Sequence, residues 1–264
     1  MHDHNCTLTG HGPLTLLLVH GYGCDQDMWR SVSPTLAKHY RVMAFDQAGC
    51  GRRGLVPYDR QRHSNLTGYA EDLVAVVRHQ GVGPVVVVGH SVSAMIGVLA
   101  AQRAPDLIQG LAMIGPSPCY LQEGDYPGGF SRDDIAGLLE ALDANHRTWA
   151  ATMAPVIMGN LERPSLATEL EESFCRMDPV AARGFARATF LADNRRDLAS
   201  VRVPTLILQC RDDAIANAKV GQYIHDHIPG SSLVHLQATG HCPHLSAPDE
   251  VLTVLLSWLR TQHA

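Results

Sequence analysis

Ser91 sits in the turn Gly89-His90-Ser91-Val92-Ser93, directly behind the run Val85 to Val88 and ahead of Ala94-Met95-Ile96-Gly97. A buried strand, a tight turn and a helix in that order push a serine hydroxyl out above the edge of a sheet, where it can act as a nucleophile. The turn requires small neighbours. The G-x-S-x-G pattern has glycine in fifth place, and Ser93, also small, stands there. The plainer alternative is an ordinary turn with Ser91 capping the helix. A hydroxyl is a weak nucleophile at neutral pH, so it needs a base, and the base needs an orienting carboxylate. Behind a serine elbow these follow in the order aspartate, histidine. Asp212 and Asp213 come after the run Thr205 to Leu208, and the spacing leaves both open as the acid. His241 and His244 come after Ser232 to Leu236. His241 is the better base, because Gly240 precedes it directly and it is nearer the strand. A tetrahedral oxyanion needs two backbone N–H donors. Val92, the residue after the nucleophile, offers one. Tyr22, flanked by Gly21 and Gly23 behind the run Leu14 to Val19, offers the other. Together these groups describe acyl transfer to water.

The elements that must position them read as alternating strands and helices. Continuous apolar runs occur at 14–19, 41–45, 85–88, 110–114, 205–208 and 232–236, as expected of strands buried on both faces of a parallel sheet. Helical spacing of apolar residues marks 66–79, 92–103 and 248–259. The pattern implies a doubly wound α/β sheet with Ser91, the aspartate and His241 on one edge. Residues 131–194 break the alternation. Stripes such as Ile135, Leu138, Leu139 and Leu142, punctuated by Pro155, Pro164 and Pro179, predict a four-helix insertion. The expected organisation is a core of 1–130 and 195–264 with this insertion between its fourth and fifth parallel strands.

Composition removes several function classes. The 264 residues are 45% hydrophobic and 18% charged, a globular balance, with a net charge of −5. No basic stripe suggests nucleic acid, and no apolar run approaches the roughly 18 residues a membrane span needs. Seven widely spaced cysteines without a C-x-x-C pair read as reduced thiols, so neither a disulfide framework nor a metal site is expected. His2 and His4 are too few for a zinc site and read as terminal residues. The opening Met1-His2-Asp3-His4-Asn5 has no cationic start or apolar stretch, so no secretory signal is expected and the chain is placed in the cytoplasm.

The segments HGYGCDQDMW at 20–29, SNLTGYAEDL at 64–73, GHSVSAMIGVLA at 89–100, DYPGGF at 125–130 and GHCPHLSAPDE at 240–250 resemble one subfamily of α/β-hydrolases. It contains the bacterial stress-response regulator RsbQ and the plant karrikin and strigolactone receptors. The resemblance covers nearly the whole chain. It implies the α/β-hydrolase fold, a mostly parallel sheet flanked by helices, with 131–194 as a four-helix lid. In these relatives the acid is followed four residues later by proline, which assigns the role to Asp213, with Asn217 in the proline's place. It implies His241 as base, Tyr22 and Val92 as oxyanion donors, and Phe130, Trp149 and Phe190 as pocket walls beneath the lid. The departures are Arg53, where relatives carry a small or uncharged residue, and Tyr22, usually phenylalanine, whose hydroxyl is expected at the pocket mouth. The implied activity is hydrolysis of a small apolar ester or butenolide-like lactone without a cofactor. The alternative is a slow-turnover receptor that acts through a signalling protein partner. Dehalogenation on this fold needs a carboxylate nucleophile, which Ser91 is not.

Overall fold

A computed structural model describes residues 4–262 of the chain. Met1 to Asp3, including His2 and the start of the opening segment, lie outside the described residues. The elements are β1 Thr7–Thr9, β2 Thr15–Val19, α1 Ser33–Leu36, β3 Arg41–Phe45, α2 Leu66–Gln80, β4 Val85–His90, α3 Val92–Arg103 and β5 Ile108–Ile114. Then follow α4 Arg132–Ala144, α5 His146–Met158, α6 Pro164–Arg176, α7 Pro179–Phe190, β6 Thr205–Asp212, α8 Ala218–His227, β7 Ser232–Thr239, α9 Pro243–Ser246 and α10 Pro248–Gln262.

The strands make one seven-stranded sheet in the order β1-β3-β2-β4-β5-β6-β7. All neighbours are parallel except β1, which pairs antiparallel with β3. The apolar runs are continuous because each strand feeds two cores. Val85 and Val87 join one cluster with α2 and α3, while Val86 and Val88 join another with Trp29 and α10. That is the two-residue alternation of a strand covered on both sides. β1 was not anticipated; it is three residues long, mostly exposed and lies at the sheet's edge. α8 was not anticipated either.

Chain order reverses between β3-β2 and β4-β5. In open α/β sheets, ligands bind at this reversal, beyond the carboxyl ends of the strands. The loops leaving β2 and β4 there carry Tyr22 and Ser91. Between β5 and β6 come four consecutive helices, α4 to α7. Local chemistry fixes their ends. Ser131 and Asp134 form a reciprocal capping box on α4, and the Asp178 carboxylate accepts from the Val180 and Ala181 N–H groups at the start of α7. Their apolar faces form a third cluster. It contains Leu139, Trp149, Leu170, Phe174 and Phe190 and closes on Cys24, Tyr120, Ile215 and Cys242 from the strand-end loops.

Candidate active site

Ser91 is the hinge between β4 and α3. Its backbone has φ 57° and ψ −126°, a conformation that side-chain-bearing residues rarely hold without a reason. Gly89 permits the turn: a Cβ there would lie 2.6 Å from the Ser93 carbonyl oxygen. Although Ser91 occupies the N-cap position of α3, its side chain makes no capping bond. Its hydroxyl instead donates to Nε2 of His241 at 2.7 Å, and His241 Nδ1 donates to Oδ2 of Asp213, also at 2.7 Å. Ser91, His241 and Asp213 are all buried.

Asp213 is the first residue beyond β6. Its Oδ1 accepts the N–H groups of Ile215 (2.8 Å) and Ala216 (3.0 Å), which fixes the carboxylate plane and leaves Oδ2 for the histidine. Asp212 points the other way, its side chain 70% exposed beside Arg211. His241 is held through its backbone: its N–H donates to the Ile157 carbonyl at the end of α5, and its carbonyl accepts Nε2–H of His90 at 2.8 Å.

His244 is fully buried, and neither ring nitrogen has a partner in the protein. It packs between Trp29 and His90, with centroids 4.6 and 4.5 Å away and the rings tilted by 34° and 58°. Burial, then the neighbouring His241 and Arg30, push its pKa from 6.5 down to about 3. Above pH 6.5 folded and unfolded chains are both neutral at this ring; below it only the unfolded chain takes up the proton. Stability therefore falls with acid, by about 1.4 kcal/mol per pH unit for this group. His90 is lowered in the same direction. His244→Phe should shrink the loss of unfolding temperature between pH 7 and pH 5, worth about 2 kcal/mol at His244. Calorimetric scans at the two pH values check it; an unchanged loss would contradict it.

The loop after β2 is tied to the elbow by buried bonds. Ser93 Oγ donates to the His20 carbonyl at 2.5 Å and accepts from Gln47 Nε2 at 3.0 Å. Gln47 Nε2 also donates to the His20 carbonyl at 2.7 Å, and the Gln47 N–H donates to His20 Nε2 at 3.0 Å. The serine in the fifth elbow position thus links the two segments that carry Tyr22 and Val92. Val92 opens α3, where a backbone N–H has no intrahelical acceptor. Gly23 takes φ +73°, while Gly21 serves close approach: a Cβ there would stand 2.6 Å from His90 Nδ1.

The cavity against Ser91 is small, about 30 Å³. Trp149 and Phe190 line it together with Tyr22, Tyr120 and Phe174, but Phe130 does not. Phe130 is half-buried behind it, its ring 6.4 Å from Tyr120 and 6.3 Å from Phe190. The Tyr22 hydroxyl is not at a pocket mouth as expected. It donates to the Ala182 carbonyl of α7 at 3.1 Å, and its ring packs against Trp149, Phe174 and Phe185 at 5.8, 6.0 and 5.6 Å. Arg53 lies on an exposed turn and does not line the cavity. The sequence reading missed Tyr120, whose hydroxyl stands 3.5 Å from Ser91 Oγ. Burial pushes that phenol up to about 12. Its position just past the carboxyl end of β5 was the available signal.

The alpha/beta hydrolase family pattern matches residues 16–254. The chain belongs to the alpha/beta hydrolase family. A karrikin insensitive 2 receptor from Petunia hybrida is 38% identical over 254 residues, covering 96% of this chain and 94% of the receptor. A strigolactone esterase from Arabidopsis thaliana is 35% identical over 252 residues, covering 95% and 94%. Among solved structures, a hydrolase from Oleispira antarctica superposes with a TM-score of 0.94 at 40% identity, covering 97% of this alpha/beta hydrolase and 94% of that chain. Among the described residues no helix is long and apolar enough to cross a membrane, and Cys24, Cys50, Cys119, Cys175, Cys210 and Cys242 form no disulfide.

Proposed function

We propose that the protein is a serine hydrolase of small apolar esters or lactones. The observation that carries this reading is the unbroken hydrogen-bond chain Ser91–His241–Asp213, with 2.7 Å at both links, starting from a serine held at φ 57°. Ser91 Oγ attacks the carbonyl carbon while its proton passes to His241 Nε2. Asp213 keeps the other proton on Nδ1 and stabilises the imidazolium that forms. The Tyr22 and Val92 N–H groups receive the oxyanion; one such donor contributes roughly a hundred- to thousandfold in rate. His241 then gives its proton to the leaving alcohol, or to the released hydroxyl arm of a lactone. Water attacks the Ser91 acyl ester with His241 again as base, and the acid departs. No cofactor enters these steps. The apolar walls Trp149, Phe174 and Phe190 favour an uncharged substrate.

The direct test is intact-mass spectrometry after incubation with p-nitrophenyl acetate and a panel of butenolides. An acyl adduct on Ser91, absent from Ser91→Ala, is the expected result; turnover with no adduct and no dependence on Ser91 would refute the reading.

A second reading is favoured by the relative named as a karrikin insensitive receptor. In it the same site turns over slowly, and the occupied lid of α4 to α7 engages a signalling protein. A turnover number well below about 1 per second, under the usual enzyme range, would favour this reading.

A further inference from the structure

A second cavity lies beside the first, between α4, the end of α7 and the segment after β5. Its volume is about 590 Å³, within the roughly 300–1,000 Å³ of small-molecule pockets. The Ser91 cavity, about 30 Å³, has room for a water molecule or two. An ester that reaches Ser91 must therefore displace a wall.

The wall between the two cavities is one residue thick. Tyr120 lines the inner cavity, while Cys119 and Leu121 on either side of it line the outer one. Such alternation is what extended backbone produces. At the end of α7, Thr189 faces the inner cavity and Leu191 the outer, and Phe190 alone lines both. The Phe190 ring meets Tyr120 at 5.0 Å between centroids. This contact is between rings, with no hydrogen bond to break on the Phe190 side.

The outer lining tells what it would take. Its floor is Leu121, Ile135, Leu139 and Leu191, with Leu191 62% exposed. The rim cations are already matched: Arg195 pairs with Glu123 (2.9 Å) and Asp193 (2.6 Å), Arg187 with Asp143, and Arg132 with Glu123 (3.4 Å). Glu140 adds a further carboxylate. A phosphate or carboxylate ligand finds no uncommitted cation there, whereas a neutral apolar group finds a floor.

Resting on the hydrolase reading above, we propose that the outer cavity is a substrate subsite, entered by displacement of Phe190, for the apolar remainder of a neutral ester whose carbonyl sits at Ser91. The substrate class is thus an ester with a long or bulky apolar arm.

Ala136→Trp tests it. Ala136 is exposed on α4, lines only the outer cavity and touches none of the reacting groups. Two series, p-nitrophenyl alkanoates and alkyl acetates, place the arm on either side of the ester. The expected result is kcat/KM within about twofold of wild type for the short members and a loss of about tenfold or more for the octyl member of one series, which also tells which arm enters. Phe190→Ala, which removes the partition, should raise the ratio of long- to short-chain rates in that same series. Unchanged long-to-short ratios in both variants would overturn the proposal. If the wild-type protein cleaves no ester, the hydrolase reading fails, and titration calorimetry with decanol decides the cavity by itself. Binding to wild type that is weakened in Ala136→Trp upholds the outer site; no binding to wild type removes it.

Discussion

Ser91→Ala should reduce hydrolysis of p-nitrophenyl acetate to background, a loss of roughly a millionfold in turnover where the uncatalysed reaction permits it to be seen. The size of the effect follows from the lack of a substitute. Ser93 lies in the same turn, but its hydroxyl is committed to the His20 carbonyl at 2.5 Å. The Tyr120 hydroxyl stands 3.5 Å from Ser91 Oγ, but burial makes its phenol a still poorer source of nucleophile at neutral pH, with a pKa of about 12. The Thr189 hydroxyl, which also lines the cavity, has no histidine hydrogen-bonded to it as a base. The fold should survive the change. Ser91 Oγ makes no capping bond, and alanine meets the same backbone conformation with a smaller side chain. The measurement is initial rates on protein with an unchanged unfolding temperature. Retention of more than a few per cent of activity would mean that another group attacks the ester.

Asp213→Asn should cost roughly ten-thousandfold in turnover, while Asp212→Asn stays close to wild type. An amide at 213 can keep the Ile215 and Ala216 N–H bonds through its oxygen. Its NH₂ then faces His241 Nδ1, where the carboxylate Oδ2 accepted a proton at 2.7 Å. The ring answers by moving its proton to Nε2, the atom that must accept from Ser91. At position 212 the side chain is 70% exposed and paired only with Arg211, an interaction of about 0–1 kcal/mol. Steady-state kinetics on the two variants side by side decide the matter. Equal losses, or the larger loss at 212, would place the acid one residue earlier.

The aspartate also marks where sequence reasoning stopped. The strand runs and the Ser91 turn were visible because a strand covered on both faces must be apolar throughout, and a tight elbow must be made of small residues. His241 followed from its glycine and its strand. Nothing in the spacing separated Asp212 from Asp213, and only family resemblance chose between them. The deciding feature is geometric: β6 runs on to Asp212, with a break in its pairing register between Cys210 and Asp212, so the alternation cannot be counted forward from Leu208. Phe130 failed as an inner wall for a related reason. Its aromatic character was legible, but whether it stands in front of Tyr120 or behind it depends on how rings from α7 and the segment after β5 lean together. The small size of the inner cavity arises the same way, from tertiary packing of side chains far apart in the chain. β1 escaped notice because three edge residues bury too little to leave an apolar run.

Tyr22 belongs to two parts of the molecule. Its peptide lies in the loop after β2, and its side chain is lodged among α5, α6 and α7 through Ala182, Trp149, Phe174 and Phe185. Proteins often open piecemeal, shedding peripheral helices at lower free energy than the sheet beneath them. Here such partial melting would carry off the anchor of the peptide proposed to hold the oxyanion. Heat and denaturant should therefore silence the protein at the first subglobal opening, while the sheet is still intact. The opening free energy of α5 to α7, read by amide exchange, should track the temperature of inactivation more closely than the global melting point does.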